Sequence, residues 1–136
     1  MFANLSAHAP KALGALRIVT ALLYLQHGTQ KILSFPSGEM AGVPIASMGG
    51  ASGLIELVCG VLIALGLLTR PAAFIASGHM AVAYWTVHFQ PDNIFPINNG
   101  GDLAIQFCFV FLYLVFAGPG AWALDGALQS RKTASA

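Results

Sequence analysis

Four apolar stretches divide the chain, at residues 12–35, 48–68, 71–89 and 102–122. Each is close to the ~20 residues that cross a bilayer core as a helix. The breaks between them are rich in turn-forming residues: Phe35-Pro36-Ser37-Gly38, Thr69-Arg70-Pro71, and the run from Gln90-Pro91-Asp92-Asn93 to Asn98-Asn99-Gly100-Gly101. Pro71 directly after Thr69-Arg70 suits a tight turn with proline at a first helical position. A soluble all-α bundle would show a polar stripe along every helix, and these segments as a set do not. The pattern predicts an all-α fold, an integral membrane four-helix bundle in one domain over residues 1–136.

Composition narrows the class further. Of 136 residues, 57% are hydrophobic and 8% charged, and the mean hydropathy is +0.74. A soluble domain is about 25% charged, and disorder needs low hydrophobicity with high charge, so both are excluded. A net charge of +1 gives no electrostatic case for nucleic acid. The first stretch carries Arg17, His27 and Lys31 and has no convincing small-residue cleavage site, so it reads as a retained helix, not a signal peptide. Lys11, Arg70, Arg131 and Lys132 fall on one side of this topology, and Glu39 and Asp92 on the other, with Lys31 at its margin. The positive-inside rule then places both termini in the cytoplasm of a bacterial or archaeal cell, with the chain crossing the inner membrane several times. Trp85, His88 and Phe89 mark the outer end of the third span, and Trp122 the inner end of the fourth. Cys59 and Cys108 lie inside spans, read as small apolar fillers, and define no compartment.

An ionisable side chain at membrane depth costs several kcal/mol, so it should face the interior and find a partner. On the first span Arg17, Thr20, Tyr24, His27 and Lys31 share a sector of roughly 80° at about 100° per residue. Glu56 stands in Ser52-x-x-x-Glu56-x-x-x-Gly60-x-x-x-Ala64, with Gly49 and Gly53 beside it, a ridge of small residues along which another helix can approach closely. Glu56 is either locked to Arg17 or Lys31 as a packing device, or is a proton-carrying or ligand-binding carboxyl tuned by burial. His79 shares a face with alanines, where a hydrogen-bonded core histidine is the plain reading. Asn99 or Asp102 can cap the fourth span, and Gln106, Phe109 and Tyr113 follow Asp102 on one face. At ~1.5 Å per residue, His27, Glu56 and Gln106 lie roughly 10–12 Å below the outer boundary and His79 some 15 Å below it. Four helices bringing hydrogen-bonding groups to one level predict a pocket between them, open toward the outer leaflet.

With these residues in view, the chain resembles the DoxX family of small four-span membrane proteins. The resemblance rests on Arg17 followed by His27-Gly28-x-x-Lys31, on Gly53-x-x-Glu56-Leu57-x-x-Gly60 leading to Leu65-Gly66-Leu67-x-Thr69-Arg70, on Asn99-Gly100-Gly101-Asp102, and on Gly118-Pro119-Gly120 running to Leu124-Asp125. Asp102 departs from the glutamate common in the family, and a shorter acid reaches less far into the bundle. The family resembles the small membrane subunit of an archaeal thiosulfate:quinone oxidoreductase, and relatives are associated with redox stress, sulfur metabolism and quinone-type compounds. The resemblance therefore implies membrane redox chemistry without fixing a substrate.

The first reading is a quinone-interacting component of a membrane redox system. Glu56 and His27 would act on the ligand, and Arg17, Tyr24, Lys31, His79, Asp102 and Gln106 would contact it, with Phe109 and Tyr113 walling the ring. The alternative is a non-catalytic anchor, assembly or stabilising subunit, since no motif for a flavin, nicotinamide or iron–sulfur centre is present and a soluble redox partner would have to supply electrons. Haem held by His27 and His79 ranks lower because their depths differ by up to a turn, and no metal site is expected. The expected partners are the lipid bilayer, a quinone or other hydrophobic small molecule, and a second copy or complex, favoured by the glycine-lined faces.

Overall fold

The computed structural model describes residues 4–134, and within α6 the side chains up to Ser130; Arg131 and Lys132, used above for orientation, have their side chains outside the described part. A 3-10 turn at Leu5–His8 leads into α1 (Ala9–Leu33), followed by α2 (Met48–Leu65) and α3 (Thr69–Ala83). α3 continues as a π-helical turn, Tyr84–His88. A single turn, α4 (Pro96–Asn99), precedes α5 (Asp102–Ala117), and α6 (Leu124–Ala134) closes the chain. Among the described residues the protein is all-helical, apart from an isolated bridge between Gln90 and Asn93.

All four apolar stretches are helices, but their ends follow local chemistry rather than hydropathy. α1 begins three residues before the expected start, with Pro10 in its first turn, where the missing N–H costs nothing. It stops at Leu33 because Ser34 turns left-handed, φ 57°. α2 stops at Leu65 because Gly66 takes φ +66°, a conformation that favours glycine. α5 ends at Ala117, short of the expected Trp122: Gly118 adopts φ +82° and Pro119 has no N–H to continue the ladder.

α1 runs along α2, and α3 along α5, with α2 packed on α3 and α1 touching α5. The first contact needs glycine. A Cβ on Gly28 would stand 2.5 Å from the Leu57 nitrogen and 2.9 Å from the Gly53 oxygen, so the two backbones meet directly. Gly60 likewise faces Leu25. Between α3 and α5, buried Ala72, Ala73 and Ala76 leave room for Phe107, Phe111 and Leu114.

Polar groups are buried inside while large apolar side chains lie on the surface. Arg17, Glu56, Thr69 and Ser77 are buried, while Leu22, Val58, Phe74 and Phe116 are 53%, 56%, 67% and 74% exposed. Large exposed apolar surface of this kind marks contact with a membrane or another protein. Among the described residues α2 is the helix long and apolar enough by itself to cross a membrane. α1 has the length but carries Lys11, Arg17 and Lys31, and α5 is apolar but has 16 residues.

Candidate functional site

Two polar clusters occupy opposite ends of the long helices. At the end formed by the C-terminal half of α1 and the N-terminal halves of α2 and α5 lies a cavity of about 450 Å³. Its polar wall is Tyr24, His27 and Lys31 of α1 with Ser52 and Glu56 of α2. Spacings of three, four and seven residues set the α1 group on one face, and the four-residue spacing does the same on α2. Apart from His88, whose Nδ1 lies 3.3 Å from the Asn99 carbonyl oxygen, the rest of the lining is largely apolar: Met48 beside Ser52 on α2, and Met80, Val87, Leu103 and Phe107 across from it.

Lys31 Nζ donates to both oxygens of Glu56, at 2.7 and 2.9 Å, and to Ser52 Oγ at 2.9 Å. Ser52 Oγ also lies 3.3 Å from Glu56 Oε1 and 3.0 Å from His79 Nε2, and Tyr24 Oη lies 2.8 Å from His79 Nδ1. An ammonium group only donates and a carboxylate only accepts. With the ion pair formed, one hydrogen arrangement supplies a donor to every contact. Ser52 donates to Glu56, His79 Nε2–H donates to Ser52, and the Tyr24 hydroxyl donates to His79 Nδ1. The hydrogens of this chain all point toward Glu56, and both of its ends, Tyr24 and Glu56, border the cavity. His27 differs from its neighbours. It makes no hydrogen bond among the described residues and stands edge-on to Phe107, ring centroids 6.2 Å apart, so neither ring nitrogen is committed to a protein partner.

The expected site residues thus divide. Tyr24, His27, Lys31, Glu56 and His79 come together, and the partner of Glu56 is Lys31, not Arg17. His79 has both ring nitrogens engaged, which leaves no lone pair for an iron unless a bond breaks. Asp102 and Gln106 are exposed and outside the cavity wall. Phe109 and Tyr113, expected to wall a ring, are 64% and 57% exposed; Phe107 has that place instead. Apolar and aromatic residues recur on every side of α5, so the two polar residues Asp102 and Gln106 drew the face carrying them, Phe109 and Tyr113 inward in the sequence reading, whereas it faces out. Ser52, the junction of the network, was legible only as a member of the small-residue ridge; its place one turn before Glu56 is the signal that could have marked it.

Arg17 sits at the other end. Its guanidinium donates to five backbone carbonyls, Ile63 (2.7 Å), Ala64 (2.6 Å), Pro119 (2.7 Å), Ala121 (3.1 Å) and Trp122 (2.9 Å). Those of Ile63 and Ala64 close the C-terminus of α2, where a cation complements the helix dipole. Arg70 does the same for α5, donating to the Val115 and Phe116 carbonyls. Asp125 serves the start of α3, its two oxygens accepting from the Leu68 and Thr69 amides at 2.8 and 2.9 Å. Partial burial would raise the Asp125 pKa, but the Thr69 and Leu68 hydrogen bonds and the Arg17 charge outweigh it and hold it below the ordinary value. No cavity is needed for this arrangement, and the three charges act as helix caps.

Comparison with known proteins bears on both clusters. The DoxX family model matches residues 12–89, which carry Arg17 and the whole polar wall of the cavity. An uncharacterised protein of Haemophilus influenzae is 45% identical over 126 residues, covering 90% of this chain and 94% of the relative. An uncharacterised membrane protein of Mycobacterium tuberculosis is 30% identical over 146 residues, covering 96% and 89% respectively. No solved structure matches. The family model reaches across more than half of the chain and takes in α1, α2 and α3, so the chain belongs to the DoxX family and is a membrane protein.

Proposed function

We propose that the chain crosses the bacterial cell membrane four times and holds a quinone-type ring in the cavity, as a component of a membrane redox system. The crossings are α1, α2, α3 with its π-helical turn, and α5, roughly 24–38 Å long at 1.5 Å per residue, with apolar outer faces. Lys11 and Arg70 stand at the Arg17 end, and Glu39 and Asp92 belong to the loops at the cavity end, a charge asymmetry that supports an orientation with the termini in the cytoplasm and the cavity toward the outer leaflet.

The observation that carries this reading is the Lys31–Glu56 ion pair and its one-way hydrogen-bond chain in the wall of a cavity whose remaining lining is His27, His88 and apolar side chains. Such a slot suits a flat apolar ring with hydrogen-bond acceptors on its edge. A bound quinone would supply two-electron acceptor chemistry, with a soluble donor protein as the source of electrons. The chain's own residues bind and move protons. His27 donates to a ring oxygen, Phe107 and Met80 hold the ring, and the Tyr24–His79–Ser52–Glu56 chain carries a proton along the wall.

A second reading, an anchor or stabilising subunit, is favoured by one feature: Lys31 and Glu56 satisfy each other without any ligand. Purification in mild detergent, solvent extraction and an absorption spectrum separate the two. The quinone reading expects a stoichiometric quinone that Glu56→Gln loses while yield and melting temperature hold. An empty extract, together with no binding of added tetramethyl-p-benzoquinone, overturns it. A Glu56→Gln protein weakened by about 1–2 kcal/mol with ligand retained supports the stabilising reading instead.

A further inference from the structure

A second cavity, of about 310 Å³, lies on the other side of the seam between α3 and α5. Along α3, Met80 and Ala83 face the first cavity, and Ala81, Tyr84 and Trp85 face the second. Along α5, Ala104 and Phe107 face the first, and Ile105, Cys108 and Phe109 the second. Met80 belongs to both, 7% exposed, so its side chain is the shared wall. No charged side chain lines the second cavity, and Trp85 and Phe109, each 64% exposed, stand at its outer rim. That rim faces away from the interior, where lipid meets the protein in the four-crossing topology. The divider is an adaptable side chain. Methionine is unbranched, with three rotatable bonds, and adapts to irregular space. One turn beyond it α3 changes to π-helical geometry, a local adjustment that often accompanies functional sites.

We infer that the ligand is an amphiphile, a polar ring bearing a long apolar tail, and that the second cavity holds its tail. The ring occupies the first cavity and the chain passes Met80 between α3 and α5 into the lipid. The inference rests on the ligand-binding reading of the first cavity and adds what that reading leaves open, the class of ligand and its route. Two cavities of ligand size, one polar-walled and one apolar, with a single flexible side chain between them, fit one two-part molecule. A water-soluble ring would use the first cavity alone, and a second copy of this chain on the rim would leave the Met80 passage without a purpose.

The test uses two fully substituted probes that cannot alkylate thiols, tetramethyl-p-benzoquinone and its trimethyl decyl counterpart, with the full-length protein in detergent. The wild type is expected to bind the decyl probe at least about tenfold more tightly. Ala81→Phe, which fills the second cavity, is expected to remove that advantage and leave the tetramethyl probe's affinity unchanged. Comparing the two proteins in one detergent cancels partition of the tail into micelles. Cys108 supplies a readout that needs no variant, because it lines the second cavity while Cys59 is buried away from it. The decyl probe should slow maleimide labelling of Cys108, and the tetramethyl probe should not. Equal affinity for the two probes, an advantage that survives Ala81→Phe, or equal labelling with either probe overturns the tail route while the ring site stands. Failure of both probes to bind overturns the ring site itself and the tail route with it.

Discussion

At one end of the helices a single guanidinium is spent on five backbone carbonyls; at the other, a carboxylate, an ammonium, two imidazoles and two hydroxyls surround about 450 Å³ of space. Both ends bury charge among apolar spans, where it is costly. They differ in what meets the charge. Arg17 meets carbonyls already fixed by the ends of α2 and the turn at 119–122, so its partners cannot respond to a ligand. The cavity cluster meets itself through titratable side chains on three helices, and His27 has donors and acceptors unspent. A buried charge saturated by backbone holds the fold. A buried charge beside open space and an uncommitted imidazole is placed to meet something else.

The largest effect should come from breaking the first of these. Arg17→Ala leaves five carbonyls without their donor, including two at the C-terminus of α2. Hydrogen bonds to a charged group are worth about 1.5–3 kcal/mol each, so a loss of at least about 3 kcal/mol is expected, enough to prevent recovery of folded protein in detergent. Arg17→Lys should also fall well short in melting temperature, because three donors on a point charge cannot serve five fixed acceptors. A variant that melts like the wild type would remove the distinction between the two ends.

Asp125 gives a smaller effect with a pH signature. Its two oxygens cap α3 through the Leu68 and Thr69 amides, and an amide has one oxygen to accept with, so Asp125→Asn loses one of these bonds and should cost about 1 kcal/mol. Folding holds this carboxyl below its ordinary 3.8, so the stability it contributes is complete above that value and lost as pH falls through the folded pKa. The melting temperatures of wild type and Asp125→Asn should therefore differ at neutral pH and converge below about pH 4. A difference that persists in acid would show that the cap works without its charge.

How much of this could be read from the chain alone follows from where the partners lie. Four helices were legible because each apolar run is long, and the close approach of some helix to α2 was legible in the glycines around Glu56, though not that the helix is α1. Arg17 and Glu56 stood out equally, as ionisable residues at depth. Their opposite roles did not, because the partners of Arg17 are backbone carbonyls, which any residue carries and no sequence pattern announces. Helix ends were misplaced where a left-handed residue, Ser34 or Gly118, stopped the ladder inside an apolar run. α5 was the least legible helix. Its aromatic residues recur on every side, so only packing against the alanines of α3 determines that Phe107 and Phe111 turn inward while Phe109 and Tyr113 face out.

The smallest change in stability should come from His27, and it cuts deepest into the comparison. The ring has no hydrogen bond to lose, and its contact is the edge of Phe107. His27→Phe keeps a flat ring there, so stability should stay within about 0.5 kcal/mol of the wild type. Affinity for tetramethyl-p-benzoquinone should fall about tenfold, the worth of one hydrogen bond of roughly 1.4 kcal/mol. Thermal melts and probe titrations on the same preparation read both. A protein unchanged in both would move the ligand's contact to the Glu56 end of the chain. One as damaged as Arg17→Ala would mean that the imidazole, too, is held for the fold, and that the cavity end and the arginine end are the same kind of structure.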